Sequence, residues 1–328
     1  MPWPVDTVET FGLASPVGRL RAALARPRPR RARGTLLLLQ GRGEFLEKYG
    51  ATVERAVAEG LCVLGLDWRG QGGSPRLVPG TRRGHVDDFE DYLADLDLLV
   101  ARAEALGLPE PLVLLGHSMG GHIGLRWLRR HPGHIARAAL VTPMFDIELG
   151  GLPRPLVRML VGGALGLGAA RRYAPGQRDP RASCRFEGNP LTSCPEGFAQ
   201  WWELLARHPD RRVGGVTWGW LAAALRSIET TRAPGFLEAI ETPLLLIRAG
   251  DERIVCNRAI ERFARRLPRA ELLDLPGARH AVFFERPEIR AAMLERITRF
   301  LGGATPRPIA ARPVPEPPPR PRLRASAG

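Results

Sequence analysis

The sequence predicts an α/β fold with a mostly parallel central sheet, helices on both sheet faces and an inserted, mainly helical cap. Three observations support this. Short apolar runs alternate with helical stretches, as in consecutive βαβ units. The runs are apolar throughout, which is typical of strands buried on both faces. The alternation stops between about residues 145 and 234 and then resumes, as expected for an insertion.

Each element follows from the local pattern along the chain. Residues 5–25 contain short apolar stretches broken by glycine and proline and predict a strand pair at a sheet edge. The amphipathic spacing over 86–106 predicts a long helix, with Asp87 and Asp88 in its favoured first turn. The other predicted strands are 35–39, 61–66, 112–115, 135–141, 243–248 and 270–275, and the other predicted helices are 45–59, 121–130, 257–267 and 287–301.

These elements divide the chain into four segments: a first core part over 1–144, a cap over 145–235, a second core part over 236–302 and a tail over 303–328. The tail is rich in proline and arginine and nearly free of large apolar groups, so we expect it to be disordered. The cap holds four of the seven tryptophans, which are Trp201, Trp202, Trp218 and Trp220. They could line a slot for a substrate or form the core of the cap, and periodicity does not separate these two interpretations.

A G-x-S-x-G motif, Gly116 to Gly120, lies between the strand ending at Leu115 and a predicted helix. In this context the serine of the motif is held on a sharp turn between strand and helix, where its hydroxyl is exposed at the carboxyl end of the strand. Glycines on either side let strand and helix pass closely. The motif therefore indicates that Ser118 is a nucleophile.

A serine hydroxyl needs a base, and the base needs an orienting acid. In this arrangement the acid and the histidine follow the serine, each on a loop after a later strand. Asp251 lies in the loop after the strand 243–248, with Glu252 beside it as the nearest rival. His280 lies just ahead of the last helix. We therefore expect Asp251 to be the acid and His280 the base.

Backbone N–H groups near the nucleophile can stabilise an oxyanion. The residue after the serine, Met119, opens a helix, and its N–H is one candidate. The loop after the strand 35–39 should supply the second. Gly41 permits a close backbone approach there, which makes the N–H of Arg42 the other candidate. At the end of the next strand, Asp67 is expected to brace its own loop together with Arg69.

Composition limits the other function classes. The net charge of +14 favours contact with anionic membranes or nucleic acid, but no nucleic-acid-binding motif is present. Four cysteines without a C-x-x-C suggest neither a disulfide framework nor a zinc site, and no metal or organic cofactor is implied. There is no signal-peptide pattern and no apolar run of membrane-spanning length. We expect a cytoplasmic protein, with peripheral contact to the inner membrane face as an open alternative and no protein partner implied.

Several of these motifs resemble bacterial lysophospholipases of the monoacylglycerol lipase-like branch of the α/β-hydrolases. The matching stretches are 40–49, 67–74, 84–89, 116–121, 189–192 and 217–220. The resemblance covers about residues 5–301 and implies a serine hydrolase that cleaves a fatty acyl ester from a monoacyl lipid. It also implies the roles given above for Ser118, Asp251 and His280 and for the amides of Arg42 and Met119. One departure is Gln40, where many relatives have histidine, and this leaves the bracing of the loop open.

Three functions are compatible with these patterns. The first is hydrolysis of lysophospholipids or monoacylglycerols through an acyl-enzyme, with general carboxylesterase activity as a broader form. The second is acyl transfer to another lipid or alcohol with the same residues. The third is a catalytically idle lipid-binding protein, against which the complete serine, histidine and acid pattern argues.

Overall fold

A central sheet of eight strands organises the computed structural model, which describes residues 8–27, 32–180 and 184–303. The strand order is β1-β2-β4-β3-β5-β6-β7-β8. The strands are β1 Val8–Ser15, β2 Gly18–Ala25, β3 Gly34–Leu39, β4 Leu61–Leu66, β5 Leu112–His117, β6 Arg137–Val141, β7 Leu244–Ala249 and β8 Ala270–Leu275. β1 and β2 form an antiparallel hairpin that pairs with β4, and β4 to β8 run parallel together with β3. The edge hairpin and the parallel sheet are both as predicted.

In the part of the chain that the structure describes, eight α-helices connect or flank these strands. They are α1 Gly50–Ala58, α2 Glu90–Ala105, α3 Met119–Arg130, α4 Arg154–Gly166, α5 Pro195–Arg207, α6 Trp218–Arg232, α7 Asn257–Arg266 and α8 Pro287–Gly302. A 3₁₀ helix over Leu46–Tyr49 precedes α1, so the single helix predicted for 45–59 is divided in two. In the described ranges no helix is long and apolar enough to cross a lipid bilayer.

Alternate residues of the inner strands point to opposite sheet faces, and each face has its own apolar core. Leu37 and Leu39 of β3 pack with residues of α2, α3 and α7. Leu36 and Leu38, from the same strand, pack with residues of α1 and α8 on the other face. Burial on both sides explains why β3, β4 and β5 are mostly apolar, since every one of their residues is buried.

Between β6 and β7 the chain forms α4, α5 and α6 and adds no strand to the sheet within the described residues. Val157 and Val161 of α4 pack against Ala222 and Leu225 of α6 in a small separate core. Thus this segment has apolar packing of its own beside the sheet. The predicted disordered tail, 303–328, lies outside the described residues except for Gly303.

Candidate active site

Ser118 lies at the junction of β5 and α3, in a backbone conformation that L-residues rarely adopt. Its φ is 51° and its ψ is −116°. A Cβ added to Gly120 would lie 2.2 Å from the carbonyl oxygen of Leu39, and one added to Gly116 would lie 2.8 Å from the Cα of Gly121. Only glycine fits at these two positions, so the glycines of the motif are required by the close approach of strand, helix and neighbouring strand.

His280 reaches Ser118 from the loop between β8 and α8. Its Nε2 atom lies 2.9 Å from the Oγ atom of Ser118. Both residues are buried, with 6% of His280 and 7% of Ser118 exposed. This is hydrogen-bonding distance between a hydroxyl and an imidazole, the geometry that general-base activation of a serine requires. The structure therefore brings together these two predicted residues.

The third member of this chain of hydrogen bonds is Glu252. Its Oε2 atom lies 2.8 Å from Nδ1 of His280, and its side chain is fully buried. Its other oxygen accepts hydrogen bonds from the backbone N–H groups of Ile254 at 2.8 Å and Arg253 at 2.9 Å. Burial raises the pKa of the Glu252 carboxyl, but the His280 imidazole and the backbone N–H groups of Ile254 and Val255 outweigh burial and hold this pKa below its usual value.

Asp251, the predicted acid, does not contact His280. Its carboxylate accepts hydrogen bonds from Arg279 at 3.0 Å and from Arg253 at 2.9 Å, and 42% of its side chain is exposed. The prediction chose the wrong one of two adjacent carboxylates. Neighbouring side chains point in different directions, and position in the sequence does not reveal which of them faces the histidine.

The loop after β3 lies directly against the nucleophile. A Cβ added to Gly41 would be 3.3 Å from the Cβ of Ser118. The neighbouring amides are occupied, since Gly41 N–H bonds to Glu44 and Gly43 N–H bonds to Gln71. The N–H groups of Arg42 and Met119 have no acceptor among the described residues. Their role as oxyanion donors stays a prediction.

Gln40 stands where many relatives have histidine, and its side chain braces the loop after β3. Its side-chain amide donates to the Oδ1 atom of Asp67 at 2.8 Å. Asp67 also pairs with Arg21 at 2.8 Å. The expected partnership of Asp67 with Arg69 is wrong, because the Arg69 guanidinium is buried against Asp95, at 2.6 Å.

A second buried hydrogen-bond network lies next to Ser118 and was not predicted from the sequence. Nδ1 of His117 lies 2.9 Å from Oε2 of Glu44, and its Nε2 lies 3.1 Å from the carbonyl oxygen of His280. Tyr49 donates its hydroxyl to the same Glu44 oxygen. Burial lowers the pKa of His117, but Glu44 outweighs this and raises it overall. In the sequence, neither the G-x-S-x-G motif nor the earlier stretch from Gly43 to Tyr49 indicates that Glu44 and His117 form a pair.

Ser118 and His280 open into a cavity of about 340 Å³. Two predicted substrate-binding residues, Trp201 and Trp202 of α5, line it together with Leu191, Leu205, Val213 and Ile254. Trp218 and Trp220 are absent from this lining in the described part of the chain. Trp220 is instead 4% exposed and packs at 5.8 Å from the Phe89 ring in the main core, and Trp218 packs against the small core of α4 and α6. Trp218 and Trp220 therefore belong to apolar cores and not to the wall of this cavity.

Within the described residues no cluster of histidine, cysteine, aspartate or glutamate could hold a metal ion. The chemistry that this geometry permits is nucleophilic attack by a hydroxyl, with an imidazole as base.

Comparison with known proteins identifies the family of the chain. The model of the family described as serine aminopeptidase, S33, matches residues 30–287. Lysophospholipase L2 of Escherichia coli is 33% identical over 273 residues, which cover 81% of this chain and 79% of that protein. The monoacylglycerol lipase of Mycolicibacterium smegmatis is 27% identical over 282 residues, covering 82% of this chain and 88% of that protein.

Among solved structures, a soluble variant of the monoglyceride lipase of Saccharomyces cerevisiae aligns with a TM-score of 0.69 at 20% identity, covering 93% of this chain and all of that one. At this identity the likeness concerns the fold, and it is that of an α/β-hydrolase. With a family model matching most of its length and a lysophospholipase relative at 33% identity, the chain belongs to the serine aminopeptidase S33 family of α/β-hydrolases.

Proposed function

We propose that this protein hydrolyses the fatty acyl ester of a lysophospholipid or monoacylglycerol through an acyl-enzyme. The observation that carries the proposal is the hydrogen-bonded chain Ser118–His280–Glu252, whose serine and histidine line a cavity with both apolar and basic walls. The relatives in E. coli and M. smegmatis, by their names, act on these two classes of monoacyl lipid.

In the proposed reaction, the Oγ atom of Ser118 attacks the ester carbonyl carbon while Nε2 of His280 takes its proton. Glu252 stabilises the imidazolium that forms. The N–H groups of Arg42 and Met119 bind the oxyanion of the tetrahedral intermediate. His280 then gives the proton to the departing glycerol oxygen. A water molecule, activated in the same way, releases the fatty acid and restores the serine.

The cavity walls support an acyl substrate. The lining includes the rings of Trp201 and Trp202 and the side chains of Leu191, Leu205 and Ile254. Burying an acyl chain against such walls contributes about 0.8 kcal/mol for each methylene group. Binding energy should therefore rise with chain length until the cavity is filled.

The charges of the cavity argue against a peptide substrate with a free amino terminus, which the name of the family suggests. Such an ammonium group needs an acceptor, and Glu44 is the only carboxylate among the described lining residues. Its carboxylate is already bound by Tyr49, His117 and the Gly41 amide. The basic side chains of Lys48, Arg42 and Arg212 also line the cavity and would repel an ammonium group.

We further propose that residues 145–235 act as a cap over the nucleophile, between core parts 1–144 and 236–302. Supporting this, Leu191, Trp201, Leu205 and Val213 come from this segment and line the cavity with Ser118. The segment would then determine which lipids reach the site.

We also propose that the protein works in the cytoplasm, at the inner membrane face, and that α4 is the contact. Five large apolar side chains of α4 and its flanks are 38–88% exposed: Leu152, Leu156, Met159, Leu160 and Leu167. An apolar patch on this helix would suit insertion into the interfacial region, where the proposed substrates are found.

The proposal is tested with the Ser118→Ala variant and a substrate panel. Turnover of 4-nitrophenyl esters and of monoacyl lipids should be lost, together with labelling by a fluorophosphonate probe. For the wild-type protein kcat/KM should rise with acyl length. Undiminished turnover in Ser118→Ala, or wild-type protein that cleaves aminoacyl-nitroanilides and no lipid ester, would refute it.

A further inference from the structure

The only lysine of the chain, among 48 basic residues, is buried beside the candidate active site. Lys48 lies in the 3₁₀ helix over Leu46–Tyr49, directly after the loop that carries Arg42. Only 6% of the residue is exposed. A buried lysine is ordinarily paired with a carboxylate, because an ammonium ion removed from water loses its hydration.

Lys48 lacks such a partner. Its Nζ atom contacts the faces of two aromatic rings, at 5.4 Å from the centroid of Phe45 and 5.1 Å from that of Trp201. In the described parts of the chain it makes no hydrogen bond and no ion pair. The nearby Glu44 carboxylate, which attracts it electrostatically, is bound by His117, Tyr49 and the Gly41 amide.

Lys48 lines the same cavity as Ser118. Lys48, Ser118 and His280 all line it, together with the basic side chains of Arg42 and Arg212. The Arg42 guanidinium donates to the carbonyl oxygen of Gly214 at 3.0 Å, whereas Lys48 has only the two ring contacts among the described residues. A low-dielectric cavity lined by positive groups attracts an anion strongly.

We propose that Lys48 binds the phosphodiester of a lysophospholipid whose acyl ester lies at Ser118, and that it makes the enzyme prefer this class over neutral monoacylglycerols. The inference rests on the proposed ester hydrolase function and names its substrate. A compact ammonium with three donors is a common binder of phosphate oxygens. A cavity that holds an unpaired cation favours an anionic ligand, here the lysophospholipid, over a neutral one such as a monoacylglycerol.

Lys48→Met is the test, because methionine keeps much of the aliphatic stem between the two rings and removes the charge. The substrates are 1-palmitoyl lysophosphatidylglycerol, 1-monopalmitoylglycerol and 4-nitrophenyl butyrate, the lipids in mixed micelles at fixed composition. The ratio of kcat/KM for the lysophospholipid to that for the monoacylglycerol should fall about 10–100-fold, the range for losing a hydrogen-bonded charged partner. The loss should appear mainly in KM.

Two matched variants complete the experiment. Lys48→Arg keeps the charge and should recover a substantial part of the ratio. Arg299→Met removes a positive charge whose side chain is 71% exposed on α8, and it should leave the ratio unchanged. Together they separate local binding from a general loss of basic charge.

The outcomes separate this inference from the proposed function. An unchanged ratio in Lys48→Met, or an equal loss on all three substrates, overturns the role of Lys48 and leaves ester hydrolysis standing. Wild-type protein that cleaves 4-nitrophenyl butyrate but neither lipid overturns the lipid substrates themselves, and with them the role of Lys48. A ratio that falls equally in Arg299→Met also overturns it, since bulk charge then accounts for the preference.

Discussion

The Oε2 atom of Glu252 lies 2.8 Å from Nδ1 of His280, while the adjacent carboxylate of Asp251 contacts two arginines at the protein surface. This contrast assigns different tasks to the two residues. Glu252 is positioned to orient the imidazole and to balance its charge. Asp251 holds Arg279, whose Nη1 atom donates to the carbonyl oxygens of Asn189 and Thr192 at 3.0 and 3.2 Å, and so ties the loop of His280 to the segment before α5.

Glu252→Gln should lower kcat for 4-nitrophenyl butyrate by about 10³–10⁴-fold, because an amide neither stabilises the imidazolium nor enforces the correct tautomer. The change is isosteric, so the fold should persist, which circular dichroism and a thermal melt would verify. Steady-state kinetics at several pH values give kcat directly.

The matched control is Asp251→Asn. Its carboxylate is far more exposed and pairs only with arginines, so we expect kcat to change by less than about tenfold. A larger loss of kcat in Asp251→Asn than in Glu252→Gln would restore Asp251 as the acid and contradict the assignment.

The sequence was sufficient for features that follow from strong local constraints. Inner strands are mostly apolar and buried on both faces, and the turn at Ser118 requires glycines on both sides, so the sheet and the meeting of Ser118 with His280 could be predicted. Asp251 and Glu252 are neighbours with the same chemistry, and only the three-dimensional path of their loop separates them. Trp220 and Trp201 likewise have similar surroundings in the sequence, although one lies in the core and the other in the cavity.

The buried network of Glu44, Tyr49 and His117 could not be predicted from the sequence, for a related reason. Glu44 and His117 lie 73 positions apart, and neither belongs to a recurring motif that pairs them. Lys48 follows a glutamate in a short helix, a pattern typical of a solvated surface. Its burial depends on Trp201, which a separate segment contributes.

The Glu44–His117 pair should make stability depend on pH. The raised pKa of His117 means that the folded protein keeps a proton that the unfolded chain releases above about pH 6.5. The pair's contribution is therefore complete below that pH and is lost as pH rises through the folded pKa of His117. Groups acting on the imidazole are Glu44, the carbonyl oxygen of His280 and, at longer range, Glu252. Glu44→Gln should remove this dependence and lower the unfolding free energy near pH 6 by about 3 kcal/mol.

Urea unfolding at pH 6 and pH 9 measures both effects. Glu295→Gln is the control, since its side chain is 63% exposed and pairs only with Arg299 one turn away. We expect that variant to follow the wild-type curve within about 0.5 kcal/mol. If Glu44→Gln retained the wild-type difference between the two pH values, the pair would not be the source.

The exposed apolar face of α4 predicts interfacial behaviour. Met159→Asp and Leu167→Asp replace side chains that are 65% and 88% exposed, so the fold should tolerate both. The double variant should bind less to vesicles of palmitoyl-oleoyl phosphatidylglycerol in co-sedimentation, and kcat/KM for vesicle-borne lysophospholipid should fall about tenfold or more. Turnover of dissolved 4-nitrophenyl butyrate should stay within about twofold, and an equal loss there would contradict a membrane role.

Lys48 should also reduce the stability of the free protein. The pKa of Lys48 is lowered from 10.5 to about 8, mainly by burial and also by Arg42, with Glu44 acting in the opposite direction. Below pH 8 both folded and unfolded chains carry the proton, and the folded state bears the full cost of the buried charge. Between about pH 8 and 10.5 only the unfolded chain keeps the proton on Lys48. The contribution of Lys48 to the unfolding free energy therefore rises by about 3 kcal/mol over this pH range.

Lys48→Met should therefore be more stable than wild type at pH 7, by about 1–3 kcal/mol, and should lack the rise with pH. Chemical unfolding at pH 7 and pH 10 tests this directly. The same substitution that weakens lysophospholipid binding would then strengthen the fold, as is common where a functional group is held at the expense of stability. A less stable Lys48→Met variant at pH 7 would mean that the ammonium is satisfied in the folded protein, and that its role is structural rather than one of ligand binding.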